Sequence, residues 1–372
     1  MPLEDDGSVA DDYRIKKALP TINYLLARNC KVALISHLGR PKGKKDPKFS
    51  LQKVAQRLSE LLGERVEFVA NCVGPQVAVA MKAAQPGSVM VLENTRFHPG
   101  EKENDMTFAK ELAQPFDYFV QNAFGSVHRE HASVSAVAHC KPAVAGMLLE
   151  TEVSTIQKAL KSPRKPVVAV VGGAKIHTKL ELLNNFIRVA DTLIVGGAMA
   201  NTFLVAQGHS VGKSLFEEDE VGPARAILES AKAAQTEIIL PLKDVAVAKQ
   251  VDATAQRVDK FINLVEDDDI ILDFGPQSMK HVLEIIDNAG TVIWNGPLGM
   301  TELPQFAQST EALAKHMIDH HVDSIVGGGD TAAFVQEHGI VDKLTHVSTG
   351  GGASLELMSG NPLPGVEVLL DK

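Results

Sequence analysis

Six apolar runs in the last 210 residues of this chain each pass into a glycine-rich loop. The loops are Val171-Gly172-Gly173-Ala174-Lys175, Val195-Gly196-Gly197-Ala198, Asp273-Phe274-Gly275-Pro276, Trp294-Asn295-Gly296-Pro297, Val326-Gly327-Gly328-Gly329-Asp330 and Thr349-Gly350-Gly351-Gly352-Ala353. A strand that stops at glycine and opens a helix leaves backbone N–H groups and a helix N-terminus facing outwards, where they attract anions. One such loop says little. Six on one edge of a sheet would build a nucleotide-sized polar crevice, which points to an enzyme that handles phosphates.

The apolar runs are rich in Val and Ile and rarely alternate with polar residues, the pattern of parallel strands covered on both faces. Strands are expected over 31–36, 66–69, 89–92, 118–121, 166–171, 192–195, 237–240, 270–273, 291–294, 324–326 and 346–348, with amphipathic helices such as 51–62, 178–189 and 305–318 between them. This alternation predicts an α/β fold. The length of 372 residues suits two domains rather than one core. Residues 150–160 read as one helix, stopped by the prolines of Lys161-Ser162-Pro163-Arg164-Lys165-Pro166. The expected arrangement is two doubly wound, Rossmann-like parallel-sheet lobes, over 1–149 and 163–356, joined by a helix and hinge at 150–162.

A net charge of −9 argues against a general nucleic-acid or membrane-surface binder, so an anion site must be a local basic cluster on an acidic body. Cys30, Cys72 and Cys140 are scattered without CxxC spacing, which fits a reducing compartment and supplies no metal or disulfide framework. The sequence shows neither a long apolar span nor a basic leader, and a cytoplasmic location is expected.

In the second half, Lys175 and Lys179 stand four apart beside glycines, and helical spacing would put both ammonium groups on one face, suited to adjacent phosphates. Two solvated surface lysines are the plainer alternative. The glycines of Gly327-Gly328-Gly329-Asp330-Thr331 would admit phosphates, with Asp330 either holding Mg²⁺ or capping the helix. The same stretch satisfies G-x-G-x-x-A, a weak dinucleotide fingerprint. The loop around Gly351 would hold a phosphoryl group or serve as a hinge. Gly208-His209-Ser210-Val211-Gly212-Lys213-Ser214 imitates a P-loop but has three residues between its glycines and follows a helical stretch, so it is rejected.

The first half places basic residues near strand ends: Arg14, then His37 and Arg40, then Arg96, then His128 and Arg129. Ligands of such sheets bind beyond the carboxyl ends of strands, and clustered arginines suit a small, multiply charged acid. A surface ion pair is the ordinary reading of any one of them; the repeated placement favours a site. Lys42–Lys48 reads as a solvated loop and Glu101–Asp105 as a helix cap, while His131, His139, His209, His316, His320 and His321 show no metal-ligand spacing.

Together these motifs resemble the phosphoglycerate kinase family. The segments are SHLGRP at 36–41, ENTRFHPGEKEND at 93–105, AFGSVHR at 123–129, VVGGAKIHTKL at 170–180, GGAMANTF at 196–203, WNGPLGMTELPQF at 294–306, GGGDTAA at 327–333 and STGGGAS at 348–354, in family order over nearly the whole chain. The resemblance implies a monomeric glycolytic and gluconeogenic enzyme. It would transfer a phosphoryl group reversibly between 1,3-bisphosphoglycerate and MgADP, giving 3-phosphoglycerate and MgATP. The triose acid would sit on the N-terminal lobe and the nucleotide on the C-terminal lobe, and the lobes would close for chemistry. Neither nucleic acid nor membrane is an implied partner.

By the same match, Arg14, His37, Arg40, Arg96 and Arg129 would hold the triose phosphate and carboxylate, with Arg14 beside the moving phosphoryl group. Lys175 and Lys179 would bind nucleotide phosphates, Lys175 nearest the transfer; Gly328 and Gly351 join Arg14 and Lys175 at the transfer site. Asn295, Gly327, Gly329, Thr331 and the metal-binding Asp330 would lie near the phosphates, Gly196, Gly197 and Gly296 in the adenosine pocket, and Glu302 on the ribose. The tail, 357–372, would return to the first lobe. There are two departures. Members usually open with a strand ending R-x-D-x-N-V-P, whereas Met1 stands where that valine would be, so the first strand is expected to be missing. Asn122 replaces a usual aspartate. The runner-up reading is therefore a catalytically impaired protein that binds nucleotide and phosphometabolite. A dehydrogenase is a third reading, disfavoured because the lysines suit a polyphosphate and the arginines a doubly anionic substrate.

Overall fold

The structure, a computed structural model, describes residues 8–370. The chain divides into two units, one running to Val153 and resuming at Pro362, the other spanning Ser154–Asn361.

The first unit contains α1 (Tyr13–Leu26), β1 (Val32–Leu34), α2 (Gln52–Leu62), β2 (Val66–Val69), α3 (Pro75–Ala83), β3 (Val89–Leu92), α4 (Met106–Ala113), β4 (Phe119–Gln121), β5 (Ala143–Ala145) and the start of α5 (Met147–Lys161). Among the described residues, β1, β3 and β2 form a parallel sheet in that order, and β4 pairs with β5 in parallel. Side chains alternate across β3. Val89 and Val91 pack with Ile15 and Ile22 of α1 and Val54 and Leu58 of α2, while Met90 and Leu92 pack with Val77 of α3 and Phe108 and Leu112 of α4. A strand buried on both faces must read as an unbroken apolar run, and each such side chain contributes about 2 kcal/mol of burial free energy. The strand expected ahead of Met1 lies outside the described residues.

The second unit runs through β6 (Val167–Val171), α6 (Leu180–Val189), β7 (Thr192–Val195), α7 (Ala198–Ala206), α8 (Val221–Ala234), β8 (Glu237–Ile239), β9 (Asp244–Ala248), β10 (Val258–Phe261), β11 (Ile270–Phe274), α9 (Pro276–Asp287), β12 (Thr291–Asn295), α10 (Gln308–Asp319), β13 (Asp323–Gly327), α11 (Gly329–Glu337), β14 (His346–Val347) and α12 (Gly351–Ser359). Its main sheet is parallel, in the order β14-β13-β12-β6-β7-β8. The chain steps one way from β6 to β8 and the other way from β12 to β14, so the strand order reverses between β6 and β12. Crevices at such a reversal are where ligands of open α/β sheets bind. The register aligns the strand ends there, with Asn295 level with both Val171 and Gly327, and Val171 level with Val195.

One expectation is corrected in this unit. The strand at 270–273 does not join the parallel sheet; β11 pairs antiparallel with β9, which pairs with β10. The glycine loop that follows it is therefore not on the shared edge. Its helix-opening N–H groups, those of Gln277 and Ser278, donate to the Asp244 carboxylate at 3.0 and 2.7 Å. Five of the six loops remain on the parallel edge, after β6, β7, β12, β13 and β14. The last helix, α13 (Pro364–Leu370), belongs to the first unit, where Gly365 N donates to Val127 O at 2.9 Å.

Candidate functional site

In the second unit the five loops meet at the strand-order reversal. Lys179 lies at the centre, donating from Nζ to Gly172 O at 2.5 Å, Asn295 Oδ1 at 2.8 Å and Asn295 O at 3.2 Å. Burial pushes its ammonium down to about 8, opposed by the charge of Asp330. The helical pairing expected of Lys175 and Lys179 does not form. A short 3₁₀ turn covers His177–Lys179 and α6 starts only at Leu180, so Lys175 stays in the loop, exposed, while Lys179 turns inward.

Several glycines are required by loop packing rather than by ligand approach. A Cβ on Gly172 would lie 1.7 Å from Pro297 O, and one on Gly296 would lie 2.2 Å from Gly172 O. Gly196 and Gly197 abut Leu298 and Gly173 in the same way. Gly329 differs, because a Cβ there meets nothing within 4 Å. It opens α11, and a Cβ on Gly351, which opens α12, would lie 3.3 Å from Gly329 N, so two helix N-termini stand side by side. The Ser354 hydroxyl ties them, accepting from Gly328 N at 3.3 Å. Thr331 is buried and its hydroxyl accepts from Gly296 N at 2.6 Å, so it braces the loops. Asp330 does not cap α11; its carboxylate is exposed in the first turn. Among the described residues, the buried Asn295 Nδ2 has no hydrogen-bond partner, beside Gly328. Glu302 is exposed in the loop after β12.

The first unit gathers a second, cationic cluster. Arg96 follows β3 on a buried 3₁₀ turn and donates from Nη1 to Gly39 O at 2.8 Å, holding the loop that carries His37 and Arg40. Asn94 secures the same loop, donating to Leu38 O and Phe49 O. Arg129 follows β4, and its Nε donates to His128 Nε2 at 3.1 Å. Burial and then the Arg96 and Arg129 charges push His37 down to about 3 and His131 down to about 4. Burial and the neighbouring Arg129 and Arg40 also lower Arg96, against the opposing pull of Glu101. Glu101 is fully buried and already accepts from Ser133 N and Oγ. Arginines this close, with so little opposing charge, suit an anion carrying more than one charge. Arg14 is exposed on the first turn of α1.

A family model described as phosphoglycerate kinase matches residues 1–361. The chain belongs to the phosphoglycerate kinase family. The phosphoglycerate kinase of Pelotomaculum thermopropionicum is 46% identical over the whole of this chain and 94% of its own length, and that of Moorella thermoacetica is 47% identical over the same shares. Among solved structures, phosphoglycerate kinase from Coxiella burnetii superposes with a TM-score of 0.90 at 40% identity, covering all of this chain and 94% of that one. The enzyme from Pyrococcus horikoshii gives 0.81 at 31% identity, covering 99% and 93%. These place the chain in a family of kinases with the two-lobed α/β fold.

Two features of this family member escaped the sequence. His131, which shows no metal-ligand spacing, stands in the cationic cluster, and its position two residues beyond Arg129 is the available signal. The partners of Asn122, which replaces a usual aspartate, are the second. Its Oδ1 accepts from Thr21 Oγ1 at 3.0 Å and from Leu148 N at 3.1 Å.

Proposed function

We propose that this chain transfers a phosphoryl group reversibly between the acyl phosphate of 1,3-bisphosphoglycerate and ADP, giving 3-phosphoglycerate and ATP, as a cytoplasmic monomer in glycolysis and gluconeogenesis. The observation that carries the proposal is the under-compensated cluster of Arg40, Arg96 and Arg129 in the first unit, which calls for a compact multivalent anion. The second unit supports the nucleotide half of the reaction through the exposed Lys175, the Asn295 Nδ2 that lacks a partner among the described residues, and the paired helix N-termini.

In the ATP-forming direction the bond between phosphorus and the carboxyl oxygen breaks, and a terminal phosphate oxygen of ADP forms the new one. The carboxylate leaves already ionised and needs no base. Such a reaction depends on positioning and charge neutralisation rather than on a protein nucleophile. Arg40, Arg96 and Arg129 would hold the triose phosphate and carboxylate with His37, kept neutral, donating or accepting a hydrogen bond beside them. Arg14 and Lys175 would meet the moving group, Gly351 would offer its N–H group to it beside Gly328, and Glu302 would take the ribose. The exposed carboxylate of Asp330 fits a role in holding the Mg²⁺ that accompanies the nucleotide. That ion, when bound, offsets phosphate charge. The two units would close for transfer.

The test is a coupled assay for ATP from 1,3-bisphosphoglycerate and MgADP. Turnover supports the proposal. Binding of both ligands without ATP formation overturns it in favour of an impaired binding protein.

A further inference from the structure

A cluster of side chains of metal-ligand type lies in the second unit, at the opposite edge of the sheet from the loops. Asp287 is the last residue of α9; His316 lies in the last turn of α10, and His320 immediately follows that helix. The spacing from His316 to His320 is four, one helical turn, so both rings project from one face. This corrects the reading that these histidines lack metal-ligand spacing. Their rings stand 4.3 Å apart with a 35° tilt. Both point Nε2 at the same carboxylate oxygen: His316 Nε2 hydrogen-bonds Asp287 Oδ1, and His320 Nε2 lies 3.3 Å from it. Ligand atoms of all three residues fall within 4.8 Å of one another.

We infer that Asp287, His316 and His320 bind a divalent transition-metal ion of the zinc class, with water completing the coordination. Imidazole nitrogen and carboxylate oxygen are the donors such ions take, at roughly 2.0–2.2 Å. Ligands at those lengths in a tetrahedral set stand about 3.3 Å apart, so small side-chain rotations suffice. Two carboxyl ends of helices meet here, and their partial negative charge favours a cation. The side chains are accessible, with relative exposures of 23% for His316, 40% for Asp287 and 43% for His320. Nitrogen donors disfavour Mg²⁺, which prefers oxygen and keeps its waters. The site is separate from the glycine loops. The five-residue strand β12 intervenes between Asp287 and Gly296, a span of roughly 16 Å.

Such an ion would pin α9 to α10 and add stability in proportion to its occupancy. Because the ligands must shed protons, binding would weaken in acid.

The probe is Zn²⁺ alone, titrated calorimetrically into the full chain with thiols blocked, and compared with Asp287→Asn and the double variant His316→Gln/His320→Gln. One equivalent should bind to the parent, at least about tenfold more weakly to Asp287→Asn, and not measurably at this site in the double variant. Zn²⁺ should raise the melting temperature of the parent and not that of the double variant. With Cu²⁺ as a second probe, electron paramagnetic resonance should show coupling to two nitrogens, lost in the double variant. Far-ultraviolet circular dichroism without metal should match in all three proteins. Equal Zn²⁺ affinity in parent and double variant, or a Cu²⁺ spectrum unchanged by the substitutions, overturns the inference.

Discussion

Lys175 and Lys179 carry the same charge in opposite environments. Lys175 is exposed and offers its ammonium to whatever binds. Lys179 spends its hydrogen bonds on the chain itself, clamping the carbonyls after β6 and β12. Substitution should separate them. Lys175→Ala should leave the melting temperature within about two degrees of the parent, since surface changes away from structural contacts cost little, yet cut turnover roughly 100-fold or more, as loss of a well-placed charged donor does. Lys179→Ala should lower both. It strands carbonyl acceptors in a buried setting, at about 1–3 kcal/mol for each unsatisfied group. Calorimetry and steady-state kinetics on the two variants check this, and a thermally silent Lys179→Ala would contradict the clamp. The sequence shows that two lysines flank the glycines. It does not show the 3₁₀ turn at His177–Lys179, because the choice is made by carbonyls from β12, more than a hundred positions away.

At the scale of elements, the loops divide into glycines that the fold requires and a glycine that a ligand would require. Gly172→Ala would drive a Cβ to 1.7 Å from Pro297 O, and no rotamer relieves a backbone clash. It should prevent soluble folding or cost more than about 3 kcal/mol. Gly329→Ala meets open space at a helix start, where alanine is the better helix former. It should be thermally neutral or slightly stabilising, while raising the KM for ADP severalfold if a phosphate sits against α11. Unchanged kinetics for Gly329→Ala would place the phosphates elsewhere.

The strands of the parallel sheet were legible because a strand buried on both faces is written mostly in apolar residues, as in the fully buried β6, Val167–Val171. Three others were not. β5 is only Ala143–Ala145, β9 reads DVAVA, and β10 is an exposed VDKF whose charges hide it. The direction of β11 was also beyond local pattern, since an apolar run looks alike in either orientation. The basic cluster was legible as arginines at strand ends. Its neutral histidines were not, because their state follows from charges brought together by folding.

At the scale of the molecule, the two units should respond to acid in opposite senses. In the first, His37 and His131 are held near 3 and 4, below the ordinary 6.5, so the folded state binds fewer protons than the unfolded one as pH falls below 6.5. Stability that is fully present above pH 6.5 is therefore withdrawn on acidification. In the second, burial raises Asp273 to about 6 against the pull of Arg257. There the folded state takes up a proton first, and stability is gained as pH falls from 6 toward the ordinary 3.8. Between pH 6.5 and 5 the first unit should thus become the weaker. The chain carries one tryptophan, Trp294, wholly buried in the core of the second unit, so its fluorescence reports that unit alone, whereas far-ultraviolet circular dichroism reports both. Urea unfolding at pH 7 and pH 5 should show the dichroism midpoint moving below the fluorescence midpoint at the lower pH. Ligands should then act selectively, because each stabilises only the unit that binds it. Adding 3-phosphoglycerate should close the gap by raising the dichroism midpoint, while ADP should raise the fluorescence midpoint and widen it. Coincident transitions at both pH values, shifted equally by either ligand, would mean that the two units unfold as one and that the acid sensitivity of the cationic cluster is shared across the chain.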